Sequence, residues 1–216
     1  MKPLRDVNPR KSYRENWWKH QENRPGLRKA LATMKRCIVT PEVAKHRIFI
    51  WMRTDIVPDH KLHVIARDDD YFFGALQSRA HVLWSLSLGS TLEDRPSYNS
   101  ATTFETFAFP WPPGHEPKES PLVEAIAKAA RDLVAKRDAW LNPPNASAEE
   151  LKRRTLTSLY NARPSWLADA HRKLDAAVFA AYGWPVTLTD AELLERLLAL
   201  NHQRANESTL KPIGAK

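Results

Sequence analysis

The stretch GSTLEDRPSYNSATTFETFAFPWPP, residues 89–113, decides how this chain is organised. It combines turn formers, hydroxyl groups, aromatic rings and prolines at a density that excludes a long regular helix. Residues 102–107 alternate polar and aromatic side chains, a pattern typical of a short half-buried strand. Pro110, Pro112 and Pro113 end that strand and stiffen the exit. Two interpretations follow: a core hairpin filled by aromatic residues, or a shaped loop that presents polar side chains to a partner.

The residues before this stretch predict a small mixed α/β unit. Residues 1–16 are polar and contain two prolines, so we expect an extended basic arm or connector. Helical spacing follows over residues 25–36, and three β-rich runs at 37–40, 47–53 and 61–67 predict neighbouring strands of one sheet. The triplet Asp68-Asp69-Asp70 predicts a turn with an aspartate that caps the next helix, over residues 71–88.

The residues after this stretch predict a helical bundle. A charged, proline-containing linker covers residues 114–121, and four amphipathic helices fill residues 122–205 before a frayed tail at 206–216. Ser147 with Glu150 predicts a capping box, Gly183 a helix stop, and Thr189-Asp190 the start of a last helix that runs through Leu200. The expected fold is therefore α+β, with a small α/β domain over residues 17–113 followed by the bundle.

The composition is typical of a globular protein without a membrane-spanning segment or an internal disulfide. Hydrophobic residues make up 43% of the chain and it has 8 Trp, which suffices for a globular core. No run approaches the ~18 apolar residues of a membrane span, so we expect a cytoplasmic protein without a membrane partner. A single cysteine, Cys37, excludes an internal disulfide and a cysteine-rich zinc site.

The positive charge is concentrated at one end. Residues 1–60 carry 14 Lys and Arg against 6 Asp and Glu, whereas residues 61–216 carry 19 of each, so the formal charge of +8 lies in the first quarter. Such a surplus suits a polyanion such as a nucleic-acid backbone, because each cation placed on a phosphate releases counterions. A merely soluble basic surface is the alternative.

Several motifs resemble one enzyme family. Tyr-Asn-Ser at 98–100, TTFETF at 102–107 and FPWP at 109–112 resemble the end of the target recognition domain in MmeI-type type II restriction–modification enzymes. TPEVAKHR at 40–47 and FGALQSRAH at 73–81 resemble earlier parts of that domain, and LDAAV at 174–178 with YGWP at 182–185 resembles the family's helical C-terminal region. The resemblance covers residues 17–200 and implies recognition of double-stranded DNA.

The resemblance also implies which residues touch DNA. The expected base readers lie in the loop: Glu93, Arg95, Tyr98, Asn99 and Ser100. A carboxylate can accept from cytosine and a guanidinium can donate to guanine, so Glu93 and Arg95 would read one G·C pair; a surface ion pair between them is the alternative. The expected backbone contacts are Arg24, Arg28, Lys45, His46, Arg47 and Arg79.

No catalytic centre is visible in the sequence. Asn142-Pro143-Pro144 resembles the motif by which amino-methyltransferases hold the target amine, but Asn145 replaces the required aromatic residue and a polar helix end precedes it. None of the 6 Gly is spaced as Gly-x-Gly, so no S-adenosylmethionine turn is present, and His60 with His63 lacks the second pair that zinc needs. We therefore expect no catalytic, cofactor or metal site in this chain.

The leading hypothesis is a DNA target recognition domain with a helical tail, the C-terminal part of an adenine-specific DNA methyltransferase or restriction–modification enzyme. The resemblance implies that an upstream methyltransferase domain or subunit supplies catalysis with S-adenosylmethionine. Three alternatives stay open at this point. The chain could be a separate specificity subunit, a decayed gene fragment, or an unrelated protein-interaction module whose basic arm binds an acidic partner.

Overall fold

A three-stranded antiparallel sheet forms the centre of the first half of the chain. The computed structural model describes residues 2–18, 24–92 and 95–209. Its strands are β1 (Arg36–Pro41), β2 (Ile50–Arg53) and β3 (Leu62–Ile65), in the order β2-β1-β3. The middle strand β1 is buried from Cys37 to Thr40, and burial raises the pKa of the Cys37 thiol. The prediction of three neighbouring strands is confirmed.

Short helices precede and follow the three strands along the chain. They are α1 (Lys2–Asp6), α2 (Lys11–Glu15), α3 (Pro25–Leu31), α4 (Asp70–Gln77) and α5 (Arg79–Leu88). The expectation of an extended arm over residues 1–16 is wrong, since α1 and α2 lie there. The predicted aspartate cap is confirmed, because the Asp69 carboxylate accepts a hydrogen bond from the Phe72 amide at 2.8 Å at the start of α4.

The single helix predicted over residues 71–88 is interrupted at Ser78. The Ser78 backbone is extended, with φ −70° and ψ 158°, and its hydroxyl donates to the Ala75 carbonyl at 2.7 Å instead of capping α5. The Asp175 carboxylate accepts from the Arg79 amide at 2.7 Å and so supplies the missing cap. The break therefore involves Asp175, which lies 96 positions after Arg79, and helical periodicity cannot reveal such a distant partner.

The strand predicted over residues 102–107 is wrong. A π-helical turn spans Ser100–Phe104 instead. The Asn99 side-chain oxygen accepts from the Ala101 amide at 2.9 Å, and the Thr103 amide donates to the Asn99 carbonyl at 2.8 Å. These local bonds satisfy the backbone without a partner strand, so the alternating pattern does not produce one. A short hairpin precedes the turn, with β4 (Thr91–Leu92) antiparallel to β5 (Arg95–Pro96).

The second half is helical, as predicted. Its helices are α6 (Pro121–Leu141), α7 (Ala148–Arg153), α8 (Leu156–Ala162), α9 (Ser165–Tyr182) and α10 (Asp190–Thr209). The predicted second helix is divided at Arg154 and Thr155, and the last helix continues past Leu200 into the expected tail. Gly183 ends α9 in the left-handed conformation with φ 71°, which confirms the predicted stop. Ser147 accepts from the Glu150 amide at 3.2 Å, but the Glu150 carboxylate pairs with Arg154, so the reciprocal box is absent.

One hydrophobic core joins the two halves. The buried cluster runs from Ile38 and Phe49 on the sheet side to Leu174 and Leu197 in the helical region. Gly74 allows the close approach of α4 to α6, because a Cβ there would lie 2.7 Å from Ile126 Cγ2. Within the described ranges, no helix combines the length and apolar character that a membrane crossing requires.

Candidate nucleic-acid interface

The β4–β5 hairpin carries Arg95, one of the predicted base readers. Leu92 pairs with Arg95 and Thr91 with Pro96, and Arg95 is exposed at the start of β5. Glu93 lies outside the described residues. Gly89 is required just before the hairpin, because a Cβ there would lie 2.5 Å from the Ser97 carbonyl oxygen and 2.7 Å from that of Ser85. The hairpin is therefore seated closely against the end of α5.

Arg47 anchors this hairpin from inside. Only 5% of the residue is exposed, so Arg47 has a structural role in this fold, and its predicted contact with the DNA backbone stays a prediction. Its guanidinium donates to the Thr40 hydroxyl at 3.1 Å and to three carbonyl oxygens, those of Pro41, Glu42 (3.4 Å) and Pro96 (3.1 Å). Burial lowers the pKa of Arg47 to about 10, which still leaves it charged at neutral pH. Both terminal nitrogens of the guanidinium thus donate to oxygen atoms of the protein itself.

Tyr98 also has a structural role, and base reading by it stays a prediction. It is 2% exposed, and its hydroxyl lies 3.2 Å from His81 Nε2. The other ring nitrogen of His81 lies 2.9 Å from the Leu76 carbonyl, so His81 Nδ1 carries the proton and Nε2 accepts from Tyr98. Burial lowers the pKa of His81 to about 3, which keeps the ring neutral. Together with Arg47, Tyr98 fixes the base of the loop.

Asn99 and Ser100 remain at the surface. Both are exposed, although the Asn99 oxygen caps the π-helical turn and the Ser100 hydroxyl lies 3.1 Å from His63 Nδ1. The rigid turn holds both side chains beside the hairpin that carries Arg95. Base reading by Arg95, Asn99 and Ser100 stays a prediction.

A cleft gathers four of the six predicted backbone contacts. A cavity of about 430 Å³ is lined by Lys45, His46, Arg47 and Arg79 from the first half, together with Arg163 and Asp175 from the helical half. Lys45 is exposed at the approach to β2, and His46 is half-buried beside it. Sequence reasoning missed Arg163, because nothing in the pattern around residue 163 distinguishes it from other surface arginines.

Arg79 has a role inside the protein. Its guanidinium donates to the Asp190 carboxylate at 2.5 Å and to the Leu188 carbonyl at 2.9 Å. These bonds tie the start of α5 to the start of α10 through Nε and Nη2 of Arg79, and its predicted contact with the DNA backbone stays a prediction. The remaining predicted contacts, Arg24 and Arg28, are exposed at α3, a helix with no buried residue. Backbone contact by Arg24 and Arg28 stays a prediction.

A buried polar network connects the cleft to the sheet. Arg137 of α6 is 3% exposed and donates to the Phe49 carbonyl at 3.1 Å and to Gln77 Oε1 at 3.3 Å. It also donates to the Tyr160 hydroxyl at 3.2 Å, and that hydroxyl lies 2.9 Å from His171 Nε2. Burial lowers the pKa of His171 to about 4, with the charge of Arg137 as the next cause, so the neutral His171 ring accepts a hydrogen bond from the Tyr160 hydroxyl. Sequence reasoning took Arg137 for part of a polar helix end and missed this network.

Asp175 lies at the rim of the same network. Burial raises the pKa of its carboxyl group from 3.8 to about 6, and the bond from the Arg79 amide and the charges of Arg79 and Arg163 offset that rise in part. Among the residues described, no group of three or more His, Cys, Asp or Glu side chains is arranged to hold a metal ion. The site therefore presents exposed cationic, amide and hydroxyl groups that buried hydrogen bonds hold in place.

Comparisons with known proteins match both halves of the chain. Family models of the MmeI target recognition domain and the MmeI C-terminal domain match residues 10–112 and 117–209. DNA methyltransferase A of Bacillus subtilis (strain 168) is 29% identical over 174 residues, which cover 78% of this chain and 18% of that protein. The structure of the type IIL restriction-modification enzyme MmeI in complex with DNA matches with a TM-score of 0.70 at 22% identity, over 95% of this chain and 25% of that one. The chain thus spans a quarter or less of the length of each protein.

Proposed function

This chain belongs to the MmeI-type family, of which it carries the target recognition and C-terminal domains, and we propose that it is the DNA-recognition module of a restriction–modification enzyme. The observation that carries the proposal is the anchored hairpin, in which buried Arg47 bonds the Pro96 carbonyl while its neighbour Arg95 stays exposed. A base reader must be held rigidly, because a bidentate arginine–guanine contact tolerates little displacement.

In this proposal the module divides DNA contact between two surfaces. Arg95, Asn99 and Ser100 face base edges in the major groove, and exposed cations position the duplex through its phosphates. Catalysis belongs to an upstream methyltransferase domain or subunit that uses S-adenosylmethionine to methylate a flipped adenine. The same division of roles applies whether the two parts share one chain or associate as subunits.

Duplex binding by the purified chain tests the proposal. Fluorescence anisotropy with a labelled mixed-sequence duplex should show binding that weakens steeply between about 50 mM and about 200 mM salt, because phosphate contacts release counterions. An acidic peptide of the same length and charge density is the control ligand. A chain that binds the peptide but no duplex at either salt concentration is a protein-interaction module, and the proposal is then wrong.

The assignment of catalysis to another part is tested separately. The chain incubated with labelled S-adenosylmethionine and mixed-sequence duplex should incorporate only background label. Reproducible adenine methylation by the pure chain would show that Asn142-Pro143-Pro144, where the structure ends α6, does hold a target amine after all.

A further inference from the structure

The cleft combines a cation from each half of the chain. Lys45 lies in the segment that leads to β2, and Arg163 lies directly after α8. Both line the cavity of about 430 Å³. A single group bound there would therefore contact the target recognition domain and the C-terminal domain at once.

The two sides of the cleft are bonded to each other next to these cations. His46 Nε2 lies 2.8 Å from Asn161 Oδ1, and the His46 ring packs at a tilt on Tyr160 with 5.9 Å between ring centroids. His46 adjoins Lys45 in sequence, and Asn161 is two residues before Arg163. Direct contacts thus join the two segments that carry these cations.

The cations of Lys45 and Arg163 are available to a ligand. Within the described part of the chain, no hydrogen bond or ion pair engages the Lys45 ammonium or the Arg163 guanidinium. The backbone at Arg163 is left-handed, with φ 40° and ψ 60°, a conformation that glycine or asparagine adopts more readily. A long cationic side chain thus occupies a position where the backbone favours another residue type.

The other charges of the cleft are largely compensated. Carbonyl oxygens surround the Arg47 guanidinium, and Arg79 pairs with Asp190. The remaining carboxyl group, that of Asp175, accepts a hydrogen bond from the Arg79 amide. Two unpaired cations therefore face one carboxyl group that is already bonded, and the cleft favours an anion.

We propose that a phosphodiester group of duplex DNA binds in this cleft, held by Lys45 from the target recognition domain and Arg163 from the C-terminal domain. The inference rests on the proposed function and extends it, because it gives the helical C-terminal domain a share in DNA binding. A phosphate contact carries no base information, so the pair sets the orientation of the duplex while the hairpin reads the sequence. Because the phosphate contacts both domains, it also fixes their positions relative to each other on DNA.

Salt dependence of DNA binding tests this inference in the whole chain. The variants are Arg163→Gln, Lys45→Gln and the double variant, each checked for an unchanged thermal melt. The slope of log K against log salt should become shallower by about 0.9 for each lost phosphate contact, and equally on duplexes of different sequence. Arg153→Gln is the matched control, since Arg153 is an exposed arginine of α7 outside the cleft, and its slope should equal that of the unaltered chain.

The possible failures are distinguishable. If the unaltered chain binds duplex DNA and Arg163→Gln keeps the full slope, the inference is wrong and the proposed function stands. If the unaltered chain binds no duplex, the proposed function itself fails. If Arg163→Gln keeps the DNA slope but loses binding to a polyglutamate peptide, the cleft receives an acidic protein segment and the phosphate assignment is wrong.

Discussion

Arg47 donates a hydrogen bond from Nη2 to the Pro96 carbonyl oxygen at 3.1 Å, so a buried cation holds the residue that follows the exposed Arg95. The same guanidinium bonds the carbonyls at the end of β1. The hairpin is therefore fastened to the central strand by one side chain, which sequence reasoning had placed on the DNA.

Replacing this side chain should affect stability and leave phosphate contacts intact. Arg47→Met keeps the apolar stem but leaves the bonded carbonyls without their donor, and we expect a loss of about 2–4 kcal/mol in the free energy of unfolding. Urea unfolding measures this loss. Lys45→Met is the exposed control, and it should change the free energy of unfolding by less than about 0.5 kcal/mol. A stable Arg47→Met protein with a shallower salt slope would instead place Arg47 on the DNA.

The carboxyl group of Asp175 should make stability depend on pH. Its pKa is raised from 3.8 to about 6 in the folded chain, so the folded state holds the proton more tightly than the unfolded state. Between these two values the free energy of unfolding falls as pH rises, by on the order of 2–3 kcal/mol from this group. The depressed pKa of His171 acts in the opposite direction over an overlapping pH range, so the comparison must be made between variants.

Asp175→Asn isolates this contribution. The amide oxygen can still accept from the Arg79 amide, but no charge forms. The difference in free energy of unfolding, variant minus unaltered chain, should therefore increase by on the order of 2–3 kcal/mol as the pH rises from about 4 to about 6. Asp175→Ala should show the same pH trend with about 1 kcal/mol less stability throughout, since the α5 cap is lost. A difference that stays constant with pH would contradict the assignment.

Arg137 should be essential to the contact between the two halves. Arg137→Met removes the donor to the Phe49 carbonyl, Gln77 and Tyr160, and we expect a loss of about 2–4 kcal/mol in the free energy of unfolding. Lys136→Met is the neighbouring control, because the ion pair of Lys136 with Asp132 is at the surface and contributes about 0.5 kcal/mol. Equal stabilities of the two variants would show that the buried network adds nothing.

The sequence predicted those elements whose signals are local. The strands at 37–40 and 61–67, the helix at 165–182 with its Gly183 stop, and the Asp69 cap all depend on spacing or on neighbouring residues, and each is found. The family and the α+β fold were likewise identified from motifs that lie in continuous stretches, and the family models and the structural match confirm both.

The features that the sequence did not predict have a common physical cause, because each depends on residues that are distant in sequence. Whether a polar side chain is buried depends on which acceptors the fold brings to it, so Arg47 and Tyr98 could not be told from the exposed Arg95 by residue type. The break at Ser78 requires the carboxylate of Asp175, and the burial of Arg137 requires Phe49 and Gln77. Arg163 enters the cleft only because α8 packs beside His46.

Selection from a randomised duplex library tests the central claim, that this chain recognises a DNA sequence through the anchored hairpin. Sequencing the fraction bound by the unaltered chain should reveal a short enriched motif. Arg95→Ala should lose preference at one position of that motif, by about 1–3 kcal/mol, while Lys45→Gln weakens binding to all sequences equally. A bound fraction with the same sequence distribution as the input library would contradict the account.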